Sequence, residues 1–192
     1  KEIQFNANEI EVLDGGNETV AKNGTVYIQK DKISATGRII RYIKNRSLLI
    51  INDGKIKKID DNLEINSKVI QYNIDQSNLN LKNNVQINDN ANNIEINTDE
   101  INYNLNKNQI ESSSNSEIKD DLGNIYRVSQ FEYNLEDRII KLSNLEVLDV
   151  NKNIFKIELA FLDLEKRELI AKDVGLNFKI SDNSENEPRL KG

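Results

Sequence analysis

The chain has 192 residues, of which 37% are hydrophobic and 30% charged, and its formal net charge is −6. Nucleic-acid binders cluster positive charge, so this balance argues against a nucleic-acid partner. The chain contains no His, Cys, Met or Trp. These absences exclude a Ser-His-Asp triad, a thiol nucleophile and an ordinary zinc site, and we expect neither an enzyme nor a cofactor. No apolar stretch approaches the roughly 20 residues of a membrane-spanning helix.

Polar and apolar residues alternate along most of the chain, as in strands with one apolar and one wet face. An apolar-x-tyrosine or similar pair recurs about every thirty residues, which indicates a structural repeat. Each repeat supplies two strands joined by a polar turn. The predicted units are 3–31, 32–61, 62–92, 93–123, 124–153 and 154–180.

The alternation changes phase inside each unit. Ile33 and Ala35 share one parity, whereas Ile40 and Tyr42 share the other. Such a change turns apolar residues outward unless the strand bulges or bends. The sequence therefore predicts a corner in the strands and a folded-over sheet around an apolar interior. A closed β-sandwich with ordinary solvated edges remains the alternative.

Charged clusters give weaker signals. Asp53-Gly54 lacks the upstream carboxylates of a calcium loop, and Asp60-Asp61 and Asp120-Asp121 are typical of solvated turns. No carboxylate pair for glycoside hydrolysis is recognisable. We expect the basic run from Lys55 to Lys58 to lie on a wet strand face.

Two sequence features point to a known family. Units such as Asn23-Gly24-Thr25-Val26 resemble the OstA-like periplasmic domains of lipopolysaccharide-transport proteins. The ending is similar to the junction between the periplasmic domain and the barrel in the LPS-assembly family LptD, the organic solvent tolerance proteins. This ending comprises Lys172-Asp173-Val174-x-Leu176-x-Phe178 and Asn186-Glu187-Pro188-Arg189-Leu190-Lys191-Gly192.

The resemblance implies an all-β, elongated, V-shaped β-jellyroll over residues 1–180 and a linker over 181–192 that leads to an outer-membrane barrel. It implies a signal peptide removed before Lys1 and a location at the periplasmic face of the outer membrane. The implied partners are lipopolysaccharide through its lipid A, an LptA-like bridge protein added as a strand at the N-terminal edge, and an LptE-like lipoprotein bound through the barrel.

The implied function is lipid transport without covalent chemistry. Burying each methylene contributes about 0.8 kcal/mol, so an apolar slot would shield acyl chains while the sugars stay wet. An LptA- or LptC-like bridge component and a structural β-solenoid without lipid binding remain alternatives. The residues expected to line the slot, which periodicity alone does not distinguish from a filled core, are Ile10, Val12, Ile40, Tyr42, Ile70, Tyr72, Ile101, Tyr103, Phe131 and Tyr133.

Overall fold

The computed structural model describes residues 3–177, which form strands and short turns without an α-helix in that range. Single 3₁₀ turns occupy 14–16, 29–31 and 44–46. The strands are β1 (Ile3–Leu13), β2 (Glu18–Ile28), β3 (Ile33–Ile43), β4 (Leu48–Lys58), β5 (Leu63–Asn73), β6 (Asn78–Asp89), β7 (Ile94–Asn104), β8 (Gln109–Ser112), β9 (Ser116–Lys119), β10 (Ile125–Val128), β11 (Gln130–Asn134), β12 (Ile139–Leu148), β13 (Ile154–Asp163) and β14 (Glu168–Asn177).

All described strands belong to one antiparallel sheet in which neighbours in sequence pair with each other, except where the chain splits. The strand β7 pairs with both β8 and β9, and β12 pairs with both β10 and β11. The short strands are therefore halves of two longer strands interrupted near residues 113–115 and 129. The prediction of six two-strand repeats is confirmed, with this interruption in the fourth and fifth units. The proposed linker at 181–192 lies outside the described residues.

Every long strand bends near its middle. At most bends the pairing skips one residue pair, for example Asn23 opposite Arg38 and Arg38 opposite Asp53, and around β6 the register shifts instead, between Lys82 and Val85. The backbone of Asn23 and Asp53 has positive φ there, at 49° in both, and Arg38 Nε donates to Asp53 Oδ2 at 2.9 Å. The bends divide the sheet into two arms. Arm A comprises 3–7, 24–37, 54–67, 85–98, 116–128 and 145–157, and arm B comprises 9–22, 39–52, 69–82, 100–112, 130–143 and 159–171.

The bends explain the phase change in the sequence. Ile33 and Ala35 face inward before the bend of β3, and Ile40 faces inward after it, each at most 1% exposed. The arms converge at the fold, so small residues are required there. A Cβ on Gly37 would lie 2.3 Å from Ile51 Cγ2. The predicted corner and folded-over sheet are thus confirmed.

Most turns at the arm ends share one backbone conformation. The last residue of most turns adopts left-handed φ, from 46° to 67°, which closes the turn before the next strand. Asparagine tolerates this conformation best among non-glycine residues, but several turns place other side chains there. These left-handed residues are Lys32, Ser47, Asn62, Ser77, Asn93, Asn108, Arg138, Lys152 and Arg167.

A single hydrophobic cluster fills the space between the arms. It extends from Ala21 to Leu162 and draws on both arms in each unit. The outer faces carry cross-strand ion pairs, such as those of Lys55 and Lys57 with Glu64. The fold therefore presents a wet exterior around an apolar interior.

Candidate functional site

The ten predicted lining residues lie together on the inward face of arm B. Cross-strand pairing arranges them in two columns that run from strand to strand across the sheet. In each column, a predicted lining residue on one strand is followed by an inward residue of the next strand. In the column nearer the bend, Ile40 pairs with Ile51, and Ile51 pairs with Ile70. Farther out, Tyr42 pairs with Leu49, and Leu49 pairs with Tyr72. Neither column contains a charged residue, so the surface they form suits hydrocarbon.

The exposure of these residues changes along the sheet. Within the central units they are almost completely buried, and Ile70, Ile101 and Tyr133 are each 0% exposed. At the β1 end, Ile10 is 46% exposed and Val12 is 64% exposed. The interior is therefore packed along its length and reaches solvent at its first strand.

The first strand also offers an unoccupied backbone edge. Among the described residues β1 pairs only with β2, whereas interior strands pair on both sides. An unpaired edge presents backbone donors and acceptors that another strand can satisfy. Exposed Ile10 and Val12 would continue an apolar surface into such an added strand.

The mouth between the free ends of the two arms is bridged by tyrosines of arm B. Tyr72 donates its hydroxyl to the carboxylate of Asp31 in the first turn of arm A. Ser77 Oγ donates to the other oxygen of Asp31 at 3.1 Å, and Lys30 Nζ donates to Ser77 Oγ at 2.7 Å and to the carbonyl of Ile74 at 3.2 Å. These hydrogen bonds connect the turn after β2, in arm A, to the turn after β5, in arm B.

A second tyrosine bridge lies two repeats farther along. Tyr133 donates its hydroxyl to Asp89, and Asn92 Nδ2 donates to the Tyr133 hydroxyl at 3.2 Å. The Asp89 carboxylate also accepts from the backbone nitrogens of Ala91 and Asn92, at 3.0 and 3.1 Å. This carboxylate is therefore held in place by its own turn and receives the tyrosine from across the mouth.

The bridge between these two is built differently. The Tyr103 hydroxyl is buried and makes no hydrogen bond within residues 3–177. Lys58 ion-pairs with Asp61, donates to Asn108 Oδ1 at 2.7 Å, and places its ammonium 5.8 Å from the centre of the Tyr103 ring. Here a lysine rather than a tyrosine hydroxyl crosses the mouth.

The position of Lys58 corrects part of the sequence interpretation. Lys55 and Lys57 lie on the wet face as expected, with side chains 41% and 54% exposed. The Lys58 side chain is only 13% exposed, because its backbone position pairs with Ile33 on the inward face. The basic run is therefore divided between the outside of the sheet and its mouth.

The three inward tyrosines near the mouth are held as neutral phenols. Burial raises the pKa of Tyr72, Tyr103 and Tyr133 well above the ordinary value, and the nearby carboxylates Asp31, Asp61 and Asp89 raise it further. A neutral phenol can donate to a carboxylate, whereas a phenolate would be repelled by it. The hydroxyls of Tyr72 and Tyr133 reach turn carboxylates at the rim, as predicted, whereas the Tyr103 hydroxyl is buried without a hydrogen bond in the described residues.

Sequence reasoning did not find the arm A partners of the tyrosines. Asp31 and Asp89 lie in or next to turns, where acidic residues are common. One signal was present: the acidic partner precedes its tyrosine by 41 residues for Tyr72 and by 44 for Tyr133. For Tyr42 the arm A partner is aromatic, since the rings of Phe5 and Tyr42 lie 6.4 Å apart.

No helix of sufficient length and hydropathy to cross a membrane is found in residues 3–177. Comparison with curated proteins gives no match. Among solved structures, one similar chain is LptH from Pseudomonas aeruginosa, described as the LptA homologous periplasmic component of the conserved lipopolysaccharide transport device. The identity is 12%, the TM-score is 0.30, and the alignment covers 74% of this chain and 82% of that chain.

The family comparison covers most of the folded sheet. Residues 6–145 match the family described as lipopolysaccharide-assembly, LptC-related. The match extends from β1 into β12 and so includes both inner columns through the central units. The chain belongs to the LptC-related lipopolysaccharide-assembly family.

Proposed function

We propose that the chain is a periplasmic bridge component of lipopolysaccharide transport that shields the acyl chains of lipid A between its arms. The observation that carries the proposal is the pair of uncharged columns on arm B, placed inside a fold of the LptC-related family. The sugar and phosphate groups would remain in solvent at the mouth, where the side chains are polar. The function is binding and transfer, without a covalent step.

Shielding requires the arms to separate. The interior is filled in this structure, with Ile101 and Tyr103 both 0% exposed. An entering chain would replace contacts between the arms with contacts to hydrocarbon, so the apolar surface would stay out of water. The mouth bridges at Tyr72, Lys58 and Tyr133 would have to release for this exchange.

The free edge of β1 supports transfer between proteins. A partner strand added to this edge would continue the sheet and extend the columns past Ile10 and Val12. We propose an LptA- or LptC-like domain as that partner, since such a domain carries the same kind of sheet. Lipid would then pass from one interior to the next without crossing water.

The family match favours a bridge component over the outer-membrane assembly protein LptD. The LptD interpretation depends on residues 186–192, which lie outside the described residues. An LptE-like partner and a location at the outer-membrane face belong to that interpretation. A gene encoding a long run of amphipathic strands after Gly192 would restore it.

Photocrosslinking tests the shielding function. A photoreactive amino acid at Ile70, Ile101 or Phe131 should crosslink to lipopolysaccharide during transport. The matched controls are the outward neighbours Gln71 and Glu132, which lie on the same strands with opposite orientation. Crosslinks from the outward positions alone would overturn the proposal. Folded protein without crosslinks at either set would favour a structural sheet that binds no lipid.

A further inference from the structure

Successive repeats place a polar side chain at the same position of the turn that ends arm A. Asp31, Asp61 and Asn92 each stand directly before a left-handed turn residue, in the turns that follow β2, β4 and β6. The arm B tyrosines that follow them by 41 or 42 residues are Tyr72, Tyr103 and Tyr133. The repeat therefore aligns three contacts across the mouth, one in each unit.

Two of these three contacts are made. Tyr72 donates to Asp31, and Asn92 Nδ2 donates to the hydroxyl of Tyr133 at 3.2 Å. The third is missing, because the Tyr103 hydroxyl makes no hydrogen bond in the described part of the chain although its residue is 0% exposed. Leaving a buried hydroxyl without a partner costs free energy, so a nearby acceptor would be taken if it were free.

Lys58 occupies the carboxylate that the repeat aligns with Tyr103. Its ammonium is ion-paired with Asp61 and also donates to Asn108 Oδ1 across the mouth at 2.7 Å. The ion pair lacks hydrogen-bond geometry, since the buried Asp61 Oδ2 accepts no hydrogen bond from the described residues. Burial raises the pKa of Tyr103, and the Asp61 carboxylate raises it further, so that carboxylate lies near the hydroxyl. The lysine and the tyrosine thus compete for one acceptor.

The lysine stands where an earlier repeat carries an aliphatic residue. The inward position of Lys58 pairs with Ile33, which pairs in turn with Ile28 one repeat earlier. An aliphatic side chain cannot bind a carboxylate, so Asp31 of that repeat is left to Tyr72. Lys58 is therefore the feature that distinguishes the central unit.

We propose that Asp61 is the shared acceptor of a redundant latch, bound by Lys58 in this structure and by Tyr103 when Lys58 leaves. Either donor joins the arms. Lys58 reaches from arm A to Asn108 in arm B, and Tyr103 would reach from arm B to Asp61 in arm A. Loss of one contact therefore leaves the central unit closed. The latch is independent of the proposed function, because it concerns the closure of the arms whatever they enclose.

A double-mutant cycle in the full chain tests the latch. Lys58→Met replaces the ammonium by an apolar side chain of similar length, which suits a column of aliphatic residues. In the native chain, we expect Tyr103→Phe to leave the equilibrium constant of unfolding unchanged or to lower it. In the Lys58→Met background, the same change should raise that constant about ten- to hundredfold, because it now removes a hydrogen bond to a charged group.

Two controls identify Asp61 as the shared acceptor. Lys57→Met removes an ammonium that pairs with Glu64 on the outer face, so it should leave the effect of Tyr103→Phe unchanged. Asp61→Ala removes the acceptor, so the effects of Lys58→Met and Tyr103→Phe should become independent of each other. With Asp61 present, additivity of these two changes to within about twofold in the equilibrium constant would overturn the latch.

The hydroxyl proton of Tyr103 gives an independent measurement. A hydrogen bond to a carboxylate moves the proton NMR signal of a phenol downfield and slows its exchange with solvent. We expect such a signal in Lys58→Met, its loss when Tyr103→Phe is added, and none in the native chain. Lys58→Leu, which copies Leu63 at the paired position of the next strand, replaces Lys58→Met if that variant does not fold. A folded Lys58 variant in which this proton exchanges as fast as in the native chain would refute the partner exchange.

Discussion

Removing single hydroxyls from the inward tyrosines Tyr72, Tyr133 and Tyr103 should change the free energy of unfolding in different directions. Tyr72→Phe deletes the hydrogen bond to Asp31 and leaves that carboxylate with the Ser77 hydroxyl at 3.1 Å. A hydrogen bond to a charged group contributes about 1.5–3 kcal/mol to the free energy of unfolding. At about 2–4 °C per kcal/mol for a chain of this size, Tm should fall by about 3–12 °C.

Tyr133→Phe should cost less than Tyr72→Phe. After the loss of the phenol, Asp89 still accepts from two backbone nitrogens and from Asn92 Nδ2 at 2.7 Å. The carboxylate therefore keeps its hydrogen bonds from its own turn. We expect a loss near the lower end of the same range, about 1.5 kcal/mol.

Tyr103→Phe should cause no loss of stability. Its buried hydroxyl makes no hydrogen bond within residues 3–177. A buried hydroxyl without a partner is destabilising, so removing it should leave the free energy of unfolding unchanged or raise it by about 1 kcal/mol. The ring, which contacts the Lys58 ammonium, is retained.

Urea and thermal unfolding of the three variants check this order. The control is Tyr27→Phe, the same atomic change on the outer face of arm A, where the side chain is half-buried. We expect losses for Tyr72→Phe and Tyr133→Phe only. Equal losses for all three inward tyrosines, or a loss as large for Tyr27→Phe, would refute the assignment of the bridging energy to hydroxyl–carboxylate contacts.

Three further predictions concern pH, the bend and the turns. Because the unfolded chain releases the Tyr133 proton near pH 10 while the native state retains it, stability should fall as pH rises above 10. Tyr133→Phe should reduce that slope by about 1.4 kcal/mol per pH unit, measured by urea unfolding from pH 9 to about 11.5. Gly37→Ala should cost about 1–3 kcal/mol by colliding with Ile51 Cγ2, and Ile51→Leu in the same chain should recover part of the loss; equal additive losses would contradict this contact. Lys152→Gly should raise Tm, since the residue sits at φ 67° on an exposed turn, whereas Lys152→Val should lower it.

The sequence was sufficient to predict the strands, their corners and the common surface of the ten lining residues. Alternation records which side chains share a face, and the phase change between Ala35 and Ile40 records the bend. Both are local properties of the chain. The grouping of Ile40, Ile70 and Ile101 on one arm follows from them together with the repeat length.

The closure of the mouth was not predictable in the same way. Alternation is identical for a filled core and an open slot, because it says nothing about the distance between the arms. That distance depends on contacts between residues far apart in sequence, such as Lys30 with Ser77 and Lys58 with Asn108. The interruption between Ser112 and Ser116 had a local signal, since a run of four serines and one asparagine is a poor strand interior.

A closed mouth is compatible with lipid transport because the opposing free energies are similar in size. Releasing the bridges at Tyr72, Lys58 and Tyr133 costs about 1.5–3 kcal/mol each, or about 5–9 kcal/mol together. Shielding one acyl chain of about twelve methylenes returns about 10 kcal/mol. The arms should thus stay shut without lipid and open when a tail enters, and weakening one bridge should favour the open state.

Tyr72→Phe should therefore bind lipopolysaccharide about tenfold more tightly for each 1.4 kcal/mol of closed-state stability lost, provided that the open state is the minor one. Lower stability with unchanged affinity in a titration against Tyr27→Phe would show that lipid binds without opening this mouth.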